Sequence, residues 1–152
     1  MKIDRYQLKA GTNLTTFEFI SDGPNGQIPK LIQLTPTNYK DLYNLAFGNK
    51  NSETGQIDDL AISNNGDSEK VLATVVATIY TFTDKYPDAW IYATGSTKTR
   101  TRLYRMGIAK YLKEAENDFT IFGQIRDEWE PFVIGVDYEA FVVKRKLSNF
   151  EL

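Results

Sequence analysis

A chain with neither cysteine nor histidine has to hold itself together by burying apolar side chains. Disulfide staples and Cys/His zinc sites are closed to it, as are thiol redox chemistry and the Ser-His-Asp and Cys-His forms of nucleophilic catalysis. Material for a core is present: nine Phe, nine Tyr and two Trp, in 152 residues that are 41% apolar and 25% charged. Those proportions are those of a globular domain rather than a disordered chain. A single domain over residues 1–152 is expected at this length. No run approaches the roughly 20 consecutive apolar residues of a bilayer span. The opening Met1-Lys2-Ile3-Asp4-Arg5 lacks the apolar stretch of a signal peptide. The expectation is a cytoplasmic protein with no membrane partner. A formal charge of −2 argues against indiscriminate nucleic-acid binding and leaves only local basic patches.

Apolar periodicity then sets out the elements. Thr15–Ser21 alternates Phe17 and Phe19 around Glu18, and Ile28–Thr35 follows across the turn-rich Asp22-Gly23-Pro24-Asn25-Gly26. This predicts a hairpin with a loop longer than two residues. Arg5–Lys9 is expected to precede it as a further strand. Tyr39–Gly48 fits both helical and strand spacing; strand is preferred, because Asn49–Gln56 reads as a loop and Ile57–Ser63 as a returning strand. A first helix follows Asp67, a candidate N-cap, with Leu72, Val75, Val76, Ile79, Phe82 and Tyr86 at spacings of three and four until Pro87. Ala89–Thr94 is a short strand. A second helix over about Lys98–Asn117 is expected to bury Tyr104, Ile108, Tyr111, Leu112 and Ala115. Phe119–Ile125 and Tyr138–Lys146 close the chain as strands, with Arg126–Pro131 read as loop. The fold class is α+β: a mainly antiparallel sheet covered by two helices, in the order β-β-β-β-β-α-β-α-β-β.

The most informative segment is Gly95-Ser96-Thr97-Lys98-Thr99-Arg100-Thr101-Arg102-Leu103-Tyr104-Arg105-Met106. From Ala89 to Lys113 there is no acidic residue, while Lys98, Arg100, Arg102, Arg105, Lys110 and Lys113 are all cationic. Four of these cations crowd a helix start whose macrodipole is already positive, at a cost of a few tenths to about 1 kcal/mol each when exposed. An anion held by backbone N–H groups and guanidinium forks would offset that, as would carboxylates from elsewhere in the fold. At about 100° per residue, Lys98, Arg102 and Arg105 lie within about 60° of one another. Arg105 borders the buried side and reads as structural. Ser96 and Thr97 are the candidate hydroxyl or backbone donors, with Lys98, Arg100 and Arg102 as charge partners. Neither a Walker lysine pattern nor a G-x-G-x-x-G fingerprint is present.

The opposite charge lies upstream, in Glu53, Asp58, Asp59, Asp67 and Glu69. Adjacent Asp58 and Asp59 face opposite sides of a strand and cannot jointly grip a metal; pairing with the arginine segment is their expected role. Asn64 and Asn65, just before Asp67, are candidate ligand contacts as well as turn formers.

Tyr43-Asn44-Leu45-Ala46-Phe47-Gly48, Asp58-Asp59, Ser63-Asn64-Asn65-Gly66-Asp67, Lys70-Val71-Leu72-Ala73-Thr74-Val75, and Gly95-Ser96-Thr97 with Arg100-Thr101-Arg102-Leu103-Tyr104-Arg105-Met106 together give the chain a resemblance. It resembles an uncharacterised family of bacterial proteins of similar length. The resemblance implies a free-standing bacterial domain and a hairpin over Tyr43 to Ser63, and it brings no activity, cofactor or catalytic residue. The expected function is therefore read from the residues alone: binding of a phosphate-bearing or nucleotide-like ligand, or of a few nucleic-acid phosphates, at the second helix start. Two alternatives stand beside it. One is a protein-interaction module of a small two-protein system. The other is a Mg²⁺-dependent enzyme on phosphorylated substrates, using Asp58, Asp59 or Asp67 for the metal.

Overall fold

A computed structural model describes residues 4–58, 65–95 and 97–146. Nine strands form a mainly antiparallel sheet, accompanied by two helices, so the α+β class holds. The strands are β1 (Lys9–Ala10), β2 (Thr16–Gly23), β3 (Gly26–Pro36), β4 (Leu42–Lys50), β5 (Ile57–Asp58), β6 (Trp90–Ala93), β7 (Phe119–Ile125), β8 (Glu128–Pro131) and β9 (Ala140–Arg145); the helices are α1 (Ser68–Lys85) and α2 (Lys98–Asp118). Among the described residues, neither helix is long and apolar enough to cross a membrane.

The chain divides into two compact units, the first made of Met1–Thr35 and Leu45–Phe82, the second of Pro36–Asn44 and Thr83–Leu152. In the first, β1, β2, β3 and β4 lie in that order, with β5 on β4. Phe17, Phe19 and Ser21 of β2 point inward and are buried, with Thr16, Glu18 and Ile20 on the other face, as the pleat requires. The β2–β3 register pairs Gly23 with Gly26, so the reversal takes only Pro24 and Asn25. The expected longer loop is thereby corrected: proline presets the first turn position and Gly26 takes the left-handed φ of 88° that closes the turn. The expected Arg5–Lys9 strand is also corrected, since pairing begins only at Lys9. Tyr39–Gly48 resolves as strand from Leu42 onward. Of the expected Ile57–Ser63 strand, Ile57 and Asp58 are paired to β4, and residues 59–63 lie outside the described residues.

Helix α1 buries Val71, Ala73, Thr74, Val75, Thr78, Phe82 and Thr83. The expected stripe shared only Val75 and Phe82 with this set; Leu72, Val76, Ile79 and Tyr86 are half-buried. Threonine explains the shift. Thr74 and Thr78 donate their hydroxyls to the carbonyls of Lys70 (2.7 Å) and Thr74 (3.0 Å), so their methyl faces pack inward without an orphaned polar atom. Such residues count as polar in a hydropathy stripe and as apolar in the core.

In the second unit β6, β9, β7 and β8 follow one another, all antiparallel. Strand β8 corrects the expected loop at Arg126–Pro131. Ile125 pairs with Glu128 across a two-residue reversal in which Arg126 and Asp127 both take left-handed φ, 54° and 63°. That is the geometry of a type I′ hairpin turn, made here without the usual asparagine and glycine. Tyr138 lies across Gly123, where an added Cβ would sit 2.4 Å from the ring, and Phe132 and Phe141 pack around it. Helix α2 passes directly into β7 at Phe119, and its helical geometry is interrupted at Tyr111. Its expected buried side is half-buried throughout, and Gly107 alone is fully buried in it.

Candidate functional site

The start of α2 is set by a glycine and two threonines. A Cβ on Gly95 would lie 2.3 Å from the Thr101 nitrogen and 2.7 Å from the Arg100 carbonyl carbon, so only glycine lets the first helical turn fold back over the end of β6. Thr101 locks that contact, its Oγ1 accepting from the Gly95 N–H at 3.1 Å and donating to the Thr97 carbonyl at 3.1 Å. Thr97 is the N-cap, and its Oγ1 accepts from the Arg100 N–H at 3.2 Å. Ser96 lies outside the described residues.

The first turn that follows carries no acidic residue. Lys98 and Arg102 are exposed, and neither is in an ion pair with a described residue. Arg100 is half-buried and points toward the Tyr104 side. Burial pushes the Tyr104 phenol up to about 12, and the Arg100 charge works against that rise. Arg105 is answered by Asp137 at 3.1 Å, which fits its reading as the structural arginine. Asp137 is 86% exposed, so this pair is a weak one. Among the described residues, the carboxylate that answers Arg105 comes from the segment between β8 and β9.

The upstream candidates sit in the first unit. Asp58 is in β5, opposite Asn49 of β4, and Asp59 and Asn64 lie outside the described residues. Asn65 is 4% exposed, and its amide is occupied by the fold. Its Oδ1 accepts from the Asn25 N–H at 2.7 Å, and its Nδ2 donates to Ser21 Oγ at 3.1 Å and the Gly26 carbonyl at 2.9 Å. Asn65 thus clamps the β2–β3 turn, and Gly23 leaves room for it, since a Cβ there would lie 2.1 Å from the Asn65 carbonyl oxygen. Asp67 holds the N-cap position, its carbonyl accepting from Val71 at 2.9 Å. Its Oδ2 accepts from the Tyr6 hydroxyl at 2.6 Å and from Ser21 Oγ at 2.5 Å. Burial, then the hydrogen bond to Asp67, raises the Tyr6 phenol above its ordinary value. Among the described residues no three acidic side chains gather with metal-ligand spacing.

Two features escaped the sequence reading. Lys30 is 7% exposed on β3, donates to Asn49 Oδ1, and holds its ammonium 5.8 Å from the Phe47 ring. The signal was a lysine set directly before the apolar Leu31-Ile32 pair in the Ile28–Thr35 run. Tyr138 donates to Glu130 Oε2 at 2.8 Å and accepts from the Val133 N–H at 3.0 Å, and burial raises its phenol as well. The Arg126–Pro131 segment thus uses one of its carboxylates to seat a buried tyrosine. A cleft of about 460 Å³ in the first unit, lined by Arg5, Tyr6, Gln7, Phe17 and Thr81, holds one charged group, and Arg5 turns its Nη1 to the Tyr6 carbonyl at 3.2 Å.

The class this defines is an α+β protein with a mainly antiparallel sheet and an electropositive second-helix start. The chain belongs to a family of unknown function, DUF6934, whose model matches residues 2–146. That match spans all of the segments on which the resemblance rested. No curated protein and no solved structure gives a significant match.

Proposed function

We propose that this protein binds a phosphate-bearing anion at the start of α2. The observation that carries the reading is a first turn without an acidic residue, on which Lys98 and Arg102 stand exposed and without an ion pair to a described residue. The helix dipole and the leading N–H groups favour negative charge at this end, and guanidinium groups match phosphate in a bidentate way. Lys98, Arg100 and Arg102 are the charge partners, and Ser96 belongs with them through its place in the junction. Thr97 keeps the helix end in shape through its cap.

The test is thermal unfolding with inorganic phosphate and with nucleoside phosphates. A ligand at a hundred times its Kd adds about 2.7 kcal/mol, a rise of roughly 5–10 °C at this size. Replacing Arg100 and Arg102 together with Ala is expected to remove that rise. No stabilisation of the native protein by any anion in a broad panel would sink the reading.

A second reading, a protein-interaction module, is favoured by exposed apolar side chains in the second unit: Met106 at 55%, Val133 at 51% and Ile134 at 61%. The Mg²⁺ alternative loses support from Asp67, whose Oδ2 is occupied by two hydroxyls.

A further inference from the structure

Two surface segments of the second unit carry opposite net charge. On α2, Arg102, Met106 and Lys110 recur every four residues and are exposed, as is Lys113 beyond them; Glu114 and Glu116 border this basic face, and Lys110 also holds its ammonium 5.5 Å from the Tyr111 ring. From Asp127 to Glu139 there are five acidic residues and no basic one, and the same segment exposes Trp129, Val133 and Ile134. Asp127, Glu128 and Glu139 are exposed, whereas Glu130 is held by Tyr138. Each segment therefore combines outward charge with outward apolar surface, the composition of a contact patch rather than of a merely solvated face.

The two segments are neighbours within one chain, because Arg105 of α2 meets Asp137 at 3.1 Å. That ion pair leaves Met106, Val133 and Ile134 more than half exposed. Neighbouring patches of opposite charge are self-complementary under a two-fold axis: the basic helix of each copy meets the acidic segment of the other, and the contact is made twice. A foreign acidic partner would use the helix alone and leave the Trp129–Ile134 surface uncovered. We infer that this chain forms a two-fold dimer in which Met106, Lys110 and Lys113 of α2 pack against the Asp127–Ile134 segment of a second copy.

The inference does not depend on the anion reading, since it rests on the middle of α2 rather than on its first turn. Sedimentation or light scattering is expected to give twice the chain mass at low salt and a shift toward the single chain at high salt. The cause is the screening length, which falls from about 10 Å at 0.1 M to about 3 Å at 1 M. Two charge-reversed chains make the decisive test: Lys110→Glu with Lys113→Glu, and Asp127→Lys with Glu128→Lys. Each alone brings like charges together and is expected to run as a single chain. Mixed in equal amounts they restore both complementary contacts, and a mixed dimer is expected. Met106→Glu gives an independent check by removing the apolar centre without reversing a charge pair. A wild-type chain that is monomeric at low salt, or reversed chains that dimerise as well alone as mixed, would overturn the inference. Retention of phosphate stabilisation by the Lys110/Lys113 variant keeps this result separate from the first-turn site.

Discussion

Helices α1 and α2 are similar in length, 18 and 21 residues, and opposite in how they are held. At the start of α1 an aspartate sits where the dipole favours one, and its carboxylate is engaged by Tyr6 and Ser21. In the first turn of α2 there is no acid, and Lys98 and Arg102 face outward. Along its length α1 buries a stripe from Val71 to Phe82, whereas α2 buries only Gly107. A helix with polar groups consumed by the fold is there to make the fold. A helix of similar length that turns Lys98 and Arg102 outward has surface to spend on something else.

The sharpest way to break this contrast is by truncation. Phe82→Ala on α1 removes a ring that is 0% exposed and is expected to cost about 3–5 kcal/mol in urea unfolding, whereas Met106→Ala on α2 is expected to stay within about 0.5 kcal/mol. Equal losses would remove the distinction. Next in size, Asn65→Ala leaves the Asn25 N–H without its acceptor and should cost about 1–3 kcal/mol. An unchanged midpoint would mean that Asn65 is free for a ligand.

On the inner side of α2, the raised phenol of Tyr104 has a definite pH signature. Its stabilising contribution is complete below the ordinary tyrosine value of 10 and is lost as pH climbs toward about 12, because the unfolded chain ionises first. Unfolding midpoints measured from pH 9 to 12 should fall less steeply in Tyr104→Phe than in the parent. Tyr6 and Tyr138, also raised, keep some slope of the same sign in both. A smaller gain is expected in the β7–β8 turn. Arg126→Asn with Asp127→Gly suits the two left-handed positions and should stabilise by about 0.4–1 kcal/mol.

Much of this was legible in the sequence, and the parts that were not share a cause. Strand β7 was read with its observed bounds, and α1 and α2 followed from spacing and from Pro87 and Gly95. For Tyr39–Gly48, spacing fits helix and strand alike; strand is preferred from the loop read after it, and the observed strand begins at Leu42. Strand β8 was missed because Arg126-Asp127 carries none of the glycine or asparagine that announces a tight reversal. The buried face of α1 was misjudged because Thr74 and Thr78 hide their hydroxyls on their own helix. At the candidate site, the sequence exposed the local charge excess on α2. It did not reveal that Asp67 and Asn65 are occupied, because their partners Tyr6, Ser21 and Asn25 lie 40 or more residues away. Local spacing carries no record of such contacts.

The two helix starts can be compared in one experiment: backbone amide spectra of the labelled protein during a titration with inorganic phosphate. Shifts that saturate and are confined to the amides around Thr97–Arg102, with Ser68–Val71 unmoved, are the predicted result. Amides that stay still at both helices, or move equally at both, would contradict the claim that the second helix start is the protein's anion site.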